Sequence, residues 1–475
     1  MKRTLLSIIG LMWIGHSALA QPFVAATPDI DDDTGDNPYE LAAGDLDGDG
    51  DIDLVMGTYY FVAAGPVQDY ITWYSNDGDG NFTAEADIST TLTYIDGLTI
   101  ANIDNSNGLD VIATSAAQSK VVYFLSDGMG GFGSEIIVDA TLSGPGAVTT
   151  GDINMDGNID IATMSYNDNK TVWYSGDGAG NFTSEVDIEN GTTDGPYYMA
   201  LADLDNDSDL DAIVGFVNGD QEVRIYYNQF IESGSTAVTW VQDAVTLDTG
   251  NAFLFDVTAG DVNNDGTLNA VVVDLSGKEV QWFEKIKDGA STVNTLTLSS
   301  ANARPAAAIV TDLDNDGDND LVVSNGLNAG SSLVYFEGAA NTAPTGNGIE
   351  IAPASNRQLY DFVVDDFDAD GDNDVAALGY NSDTIFWYEN QQITLSVNII
   401  NNTDFLVYPN PANDHIVLKG NYDKPIKITI ANLLGQDVLN TETNVNDRID
   451  ISNLTSGMYI ININNSDTTF KFMKE

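Results

Sequence analysis

From residue 38 onward, short apolar stretches alternate with clusters of Asp, Asn and Gly, and almost no segment keeps a helical period. The stretches recur in a fixed order. YELAAG, GLTIAN, AVTTG, YYMALA, FDVTAG, AAAIVT and YDFVVD each run into an acidic cluster, and β-rich runs such as LVMGTYY, VIATS and AVVVDL leave it. An aromatic stretch follows: ITWYSN, VVYFLS, TVWYSG, VRIYYNQ, VQWFE, LVYFEG or IFWYEN. The Asp-Gly and Gly-Ala-Gly elements after several of these predict hairpin turns, because Gly, Asp and Asn accept positive φ. A fourth strand is expected in stretches such as AEADIST. Four short strands over roughly 50 residues describe a propeller blade.

The acidic clusters share one nine-residue pattern, D-x-D-x-D-G-x-x-D. It starts at Asp45 (DLDGDGDID), Asn102 (NIDNSNGLD), Asp152 (DINMDGNID), Asp203 (DLDNDSDLD), Asp261 (DVNNDGTLN), Asp312 (DLDNDGDND) and Asp366 (DFDADGDND). The starts lie 57, 50, 51, 58, 51 and 54 residues apart. Seven copies at a near-constant period predict a seven-bladed ring. The seventh repeat ends soon after Tyr388, so the N-terminal stretch Pro22–Ala26 is expected to supply its fourth strand and remove an exposed edge. Gln392–Val397 is the alternative.

Oxygen side chains at positions 1, 3, 5 and 9 of each loop, with a turn glycine at 6, point to a hard cation taking six to eight oxygens. Calcium fits better than magnesium, which demands tighter octahedral geometry. The expected ligands are Asp45, Asp47, Asp49 and Asp53; Asn102, Asp104, Ser106 and Asp110; Asp152, Asn154, Asp156 and Asp160; Asp203, Asp205, Asp207 and Asp211. The remaining loops offer Asp261, Asn263, Asp265 and Asn269; Asp312, Asp314, Asp316 and Asp320; and Asp366, Asp368, Asp370 and Asp374. Up to seven calcium ions are expected, with four to six loops closest to the full pattern. The fourth loop has Ser208 for Gly, the fifth ends in Asn269, and the second displaces Gly108 by one position. Position 2 is always apolar and should pack into the blade; position 7 should offer its backbone carbonyl.

Composition sharpens the picture. The 475 residues carry a formal charge of −57, and there is no Cys. So acidic a surface repels nucleic-acid backbones and anionic membrane surfaces, and makes cations the natural partners. Disulfides and thiolate metal sites are excluded. The two histidines are His16 and His415, so no imidazole base or His-ligated zinc can form between them.

Lys2 and Arg3, an apolar run from Leu5 to Ile14 and the Ala18-Leu19-Ala20 cleavage pattern make residues 1–20 a signal peptide, too short for a permanent span. Residues 21–397 are assigned to the propeller, 398–403 to a linker and 404–475 to a C-terminal domain. Alternating strands such as HIVLKG and KITIAN in the last predict a small β-sandwich of Ig-like type.

The loops, DLDGDGDID and DLDNDGDND above all, resemble FG-GAP or VCBS-type repeats of integrin-like seven-bladed propellers over residues 22–395. The resemblance implies calcium loops that stabilise the scaffold and ligands that meet the loops of a flat face. Val407-Tyr408-Pro409-Asn410-Pro411-Ala412, then Asn432-Leu433-Leu434-Gly435-Gln436, then Leu454 to Gly457-Met458-Tyr459 resemble the type A sorting domain of the type IX secretion system of Bacteroidota. That implies an exported, secreted or surface protein whose residues 404–475 meet the secretion machinery. The fold class is thus all-β: a propeller followed by a sandwich.

Two activities are compatible with such a scaffold. One is a non-catalytic binding or adhesion module, expected to be monomeric, for a glycan or protein ligand. The other is a polysaccharide-active lyase or glycosidase. A lyase would need a base among Lys120, Lys170, Arg224, Lys278, Lys285, Lys287, Arg304, Arg357 or a Tyr, and none stands in a motif. No catalytic residue is assigned. Trp73, Trp173, Trp282 and Trp387 share one register of the third strand, which favours packing between blades over stacking on sugars. The irregular inserts Tyr59–Tyr70 and Gln229–Asp248 are better candidates for ligand contact.

Overall fold

The computed structural model describes residues 23–391 and 406–474, apart from 33–36, 60–68, 107, 192–193, 219–220, 232, 235–236, 244–246, 249–253, 275–277, 285–291, 299–303, 327–330, 347, 356, 420–425, 433–436, 445 and 464–468. The signal segment, the 398–403 linker, the alternative strand 392–397, most of the Tyr59–Tyr70 insert and Leu433–Gln436 of the NLLGQ motif lie outside the described residues. The chain forms two compact units, Met1–Gln392 and Ile393–Glu475.

All regular structure among the described residues is β. The first unit holds seven antiparallel sheets, each built outward from the strand that precedes an acidic loop. Those first strands are Pro38–Gly44, Ile95–Ala101, Pro145–Gly151, Pro196–Ala202, Leu254–Gly260, Pro305–Thr311 and Leu359–Asp365. Each pairs with a second strand beginning at the ninth loop residue: Asp53–Thr58, Asp110–Ser115, Asp160–Ser165, Asp211–Phe216, Asn269–Asp274, Asp320–Asn325 and Asp374–Gly379. The aromatic stretches are the third strands. Successive first strands pack side by side, and that of sheet 7 also contacts that of sheet 1.

Phe23–Ala25 is the fourth strand of sheet 7, with Phe23 opposite Asn390 and Ala25 opposite Tyr388. The chain's beginning therefore completes its last repeat, as expected. The AEADIST stretch differs from expectation: the fourth strand of sheet 1 is Phe82–Ala84, and beyond it only Ser89 bridges back to Ile71. Ile88, in that stretch, still packs against the core and donates its N–H to the Ile71 carbonyl at 2.7 Å. Part of the Gln229–Asp248 insert is strand too, since Trp240–Gln242 and Leu247–Asp248 both pair with Glu222–Asn228.

Every residue of all seven second strands is buried. Both faces of each sheet are covered by neighbouring sheets, which explains runs such as DLVMGT and NAVVVD with no polar alternation. The apolar residue at loop position 2 joins these cores: Leu46, Ile153, Leu313 and Phe367 are fully buried. Trp73, Trp173, Trp282 and Trp387 are 4%, 5%, 2% and 6% exposed, so they pack and are not available to stack on a sugar. The hairpin of the next sheet rests on two of them. A Cβ on Gly80 would lie 2.3 Å from the Trp387 ring, and one on Gly130 would lie 2.9 Å from Trp73.

The second unit is a pair of sheets around one core. Leu406–Tyr408, His415–Lys419 and Arg448–Asp450 form one sheet; Asp437–Thr443, Ile426–Asn432, Gly457–Ile463 and Thr469–Lys474 form the other. Ile416, Leu418 and Ile449 from the first meet Ile428, Ile430, Ile461 and Phe472 from the second.

Candidate metal centres

Each acidic loop is the turn between a first and a second strand, and its backbone repeats from sheet to sheet. Position 4 is left-handed whatever its side chain: Gly48, Asn105, Met155, Asn206, Asn264, Asn315 and Ala369 have φ between 54° and 79°. Sequence reading missed this position, whose only signal is the recurrent Asn or Gly. Position 6 is left-handed as well, through Gly50, Gly157, Gly266, Gly317 and Gly371, while Ser208 carries φ 84° in the fourth loop. Gly108 takes that role one residue late, with φ 101°.

This path gathers the carboxylates. In loops three to seven the position-1 carboxylate accepts backbone N–H bonds from positions 5 and 6, as in Asp316 and Gly317 to Asp312 (3.1 and 3.0 Å) and Asp370 and Gly371 to Asp366 (both 3.1 Å), while Asp45 accepts that of Gly48 at 2.7 Å. Carboxylate oxygens of Asp45, Asp47 and Asp53, of Asp203, Asp205 and Asp211, of Asp312, Asp314 and Asp316, and of Asp366, Asp368 and Asp374 lie within 4.8 Å of one another in each group. Convergence of three negatively charged oxygens without a cationic side chain between them suits a divalent cation.

The degenerate loops carry a different sign of the same chemistry. Asn102, at position 1 of the second loop, donates its amide to the Ser106 carbonyl at 2.8 Å. Among the described residues its buried side-chain oxygen has no hydrogen-bond partner, and neither has that of Asn263 at position 3 of the fifth loop. Two orphaned oxygens at expected ligand positions fit a cation that would satisfy them.

Position 9 does more than present an oxygen. Its carboxylate accepts the backbone N–H of position 2 with one oxygen and that of a residue at or just past the end of the third strand with the other. Asp53 holds Leu46 and Asn76, Asp160 holds Ile153 and Gly176, and Asp374 holds Phe367 and Asn390, at 2.7–3.0 Å. The carboxylate thus ties loop, second strand and third strand together. Burial outweighs these donors and pushes Asp53, Asp160 and Asp320 up to about 6, and Asp211 and Asp374 up to about 8. A cation beside them would favour the ionised form again. Three of the strand-end residues are asparagines that also reach the neighbouring sheet's loop: Asn76 donates to the Phe367 carbonyl, Asn228 to Ile153 and Asn390 to Leu313 (2.7, 2.8 and 2.9 Å).

Four of the basic residues weighed as proton acceptors are held in ion pairs. Lys120 pairs with Glu135 (2.7 Å), Lys170 with Glu185 (2.6 Å), Arg357 with Asp29 (2.9 Å) and Arg224 with Asp194 (2.6 Å) and Glu222. Lys285 and Lys287 lie outside the described residues.

A second concentration of chemistry went unread in the sequence. The fifth and sixth residues ahead of every acidic loop line one cavity of about 120 Å³ where the seven first strands meet, except that sheets 2 and 3 give only Asp96 and Ala147. A register shift marks this end of each first strand, for example between Pro38 and Glu40 and between Leu254 and Asp256. Such bulges re-aim side chains. Aromatic rings follow one another around it: Tyr94, Tyr59, Tyr39 and Tyr360 at 5.1, 5.0 and 5.4 Å between centroids. The series continues through Phe255, Tyr198, Tyr197 and Tyr166 at 5.7, 6.2, 5.1 and 6.0 Å.

Residues 406–475 match the family described as the secretion system C-terminal sorting domain, and residues 152–214 and 261–323 match the FG-GAP-like repeat. The chain carries an FG-GAP-type repeat region and a C-terminal type IX secretion sorting domain. Each repeat match opens on the first residue of an acidic loop and ends in the second strand of the following repeat. No curated protein matches the sequence. Among solved structures, the BP39L lectin from Burkholderia pseudomallei aligns with a TM-score of 0.55 at 15% identity, over 75% of this chain and 97% of that one. BBS1N, solved in complex with ARL6DN and soaked with lead, aligns at 0.53 and 10% identity over 79% and 98%. At these identities the likeness is one of fold alone. The sorting domain supports a secreted or surface location, and no helix among the described residues is long and apolar enough to cross a membrane.

Proposed function

We propose that residues 21–397 form a closed seven-bladed propeller held by calcium in its acidic loops, and that it acts outside the cell as a non-catalytic binding or adhesion module. Residues 1–20 direct export, 398–403 link the units, and 404–475, an Ig-like sandwich, engage the type IX machinery. Of the four expected positions in each loop, 1 and 3 belong to all four gathered groups, joined by 9 in three of them and by 5 in one, and 9 serves both cation and backbone. The observation that carries the reading is the seven-fold repetition of one oxygen-lined turn, down to two left-handed positions per loop. A rigid ring of this kind presents several surface loops to a ligand at low ordering cost. The likeness in fold to a lectin makes glycans the first ligands to try.

The test screens the purified mature protein against glycan and matrix-protein arrays in calcium and in EDTA, alongside thermal unfolding. Calcium should raise the unfolding temperature, through a stability gain of roughly 2.7 kcal/mol per independent site at a hundredfold excess over Kd. An unchanged melting curve in excess EDTA would refute the calcium reading. Sustained polysaccharide turnover, abolished by one substitution that leaves the fold intact, would replace the binding module by an enzyme.

A further inference from the structure

The axial cavity contains four carboxylates, on four different first strands, and among the described residues no Lys, Arg or His lines it. Asp96 is 5% exposed; the Tyr197 hydroxyl donates to one of its oxygens at 3.1 Å, and its second oxygen has no donor among the described residues. The Glu40 carboxylate has none at all among the described residues, whereas Asp361 is held by the Leu41 and Phe362 N–H groups, both at 2.9 Å, and Asp256 by Ala308 at 3.3 Å. Burial, then the Asp361, Asp96 and Asp256 charges, raise Glu40 well above the carboxylate range, and Asp96 and Asp256 are pushed up to about 7. By itself the protein thus favours protons on these carboxyl groups, and a cation placed among them would favour their ionised forms instead.

A point-like metal ion is a poor answer here. Unlike the loop acids, these four do not bring three ligand oxygens within 4.8 Å of one another. Their carboxylates are distributed around the aromatic collar, and ring faces attract organic cations rather than strongly hydrated ions. Small residues from sheets 3 and 6, Ala147, Ala306 and Ala307, leave the room.

We infer that the axial cavity binds an alkylammonium group, with Glu40, Asp96 and Asp256 as its anionic contacts and the tyrosine collar as its walls. A free linear diamine and a lysine side chain of a partner share this chemistry. The site is independent of the loop cations and of the extracellular ligand proposed above.

The experiment is calorimetric titration of the full mature protein, its loops saturated with millimolar calcium, with 1,4-diaminobutane and separately with a short lysine-containing peptide. One site per chain is expected for at least one of the two; whichever binds more tightly identifies the source. The neutral analogue 1,4-butanediol should not bind. Glu40→Gln and Asp256→Asn should each weaken binding about tenfold, the loss of one charge-assisted contact. Asp87→Asn, an exposed acid on the outer part of sheet 1, should leave it unchanged and so separates a site from general attraction to a polyanion. Glu40→Gln breaks no hydrogen bond within the described protein, so folding does not confound it. Absence of binding by both amines, indifference to Glu40→Gln and Asp256→Asn, or displacement by excess calcium would each overturn the assignment.

Discussion

Replacing Asp160 by Ala separates the two roles of a loop carboxylate. Asp160 is fully buried, and it accepts N–H bonds from Ile153 at 2.9 Å and Gly176 at 2.8 Å, with a longer third from Asn154 at 3.3 Å. Alanine leaves the buried Gly176 N–H without its acceptor, at ~1–3 kcal/mol, and removes the longer Asn154 bond, while the Ile153 N–H keeps the Gly151 carbonyl at 3.1 Å, so the unfolding free energy should fall by about 3 kcal/mol. That loss should persist in EDTA, because it concerns the backbone clamp and not the cation. Asp156, at position 5 of the same loop, is exposed and accepts only the Asn158 N–H, at 2.9 Å. Asp156→Ala should therefore cost about 1 kcal/mol in EDTA and clearly more in calcium. Asp160→Asn should fall between wild type and Ala. The fifth loop shows why: Asn269 still accepts the Val262 N–H at 3.1 Å, but its buried amide nitrogen has no partner among the described residues. Urea unfolding followed by tryptophan fluorescence, with and without calcium, reads all three. If Asp160→Ala stays within about 1 kcal/mol of wild type in EDTA, or is destabilised only in calcium, the clamp argument fails.

Four further outcomes are expected. Gly80→Ala places a Cβ 2.3 Å from the Trp387 ring at φ 72°, and should lower thermal stability well beyond Gly191→Ala, which meets open space at φ 100°; equal effects would deny the close approach. Asp316→Ala should reduce the calcium-induced rise in melting temperature more than Ser106→Ala, since only the former removes a carboxylate from a gathered group. A chain ending at Asn401 should cross the inner membrane and accumulate in the periplasm, seen by fractionation; normal surface levels would contradict the sorting role of the C-terminal unit. Finally, Asp96 and Asp256 are raised to about 7 and Asp361 to about 6, above their unfolded values near 4. Their contribution is fully present below pH ~4 and lost as pH rises to about 7. Amine-free protein in EDTA should thus lose stability over that window, and the Glu40→Gln, Asp256→Asn double variant should lose less.

The sequence by itself determined whatever depends on near neighbours in the chain. The oxygen spacing of the loops, the apolar anchor at position 2 and the strands on either side are local and recur seven times, and the glycine at position 6 recurs in five of the seven loops. The strand Phe23–Ala25 was legible too, because a repeat with only three strands leaves an edge that something must cover. Tertiary structure decided the rest. Asp160 looks like any other ligand in DINMDGNID, and only the folded sheet sets its second oxygen against Gly176, sixteen residues on. Glu40, Asp96, Asp256 and Asp361 are separated by up to 321 residues and sit in stretches that read as ordinary strands. Their common cavity exists only because seven first strands meet at one end, each with a shifted register there that redirects its side chains. Local pattern fixes which groups a strand carries; the closing of distant strands on one another fixes which of those groups share a solvent-poor space, and with it their charge, their partners and their chemistry.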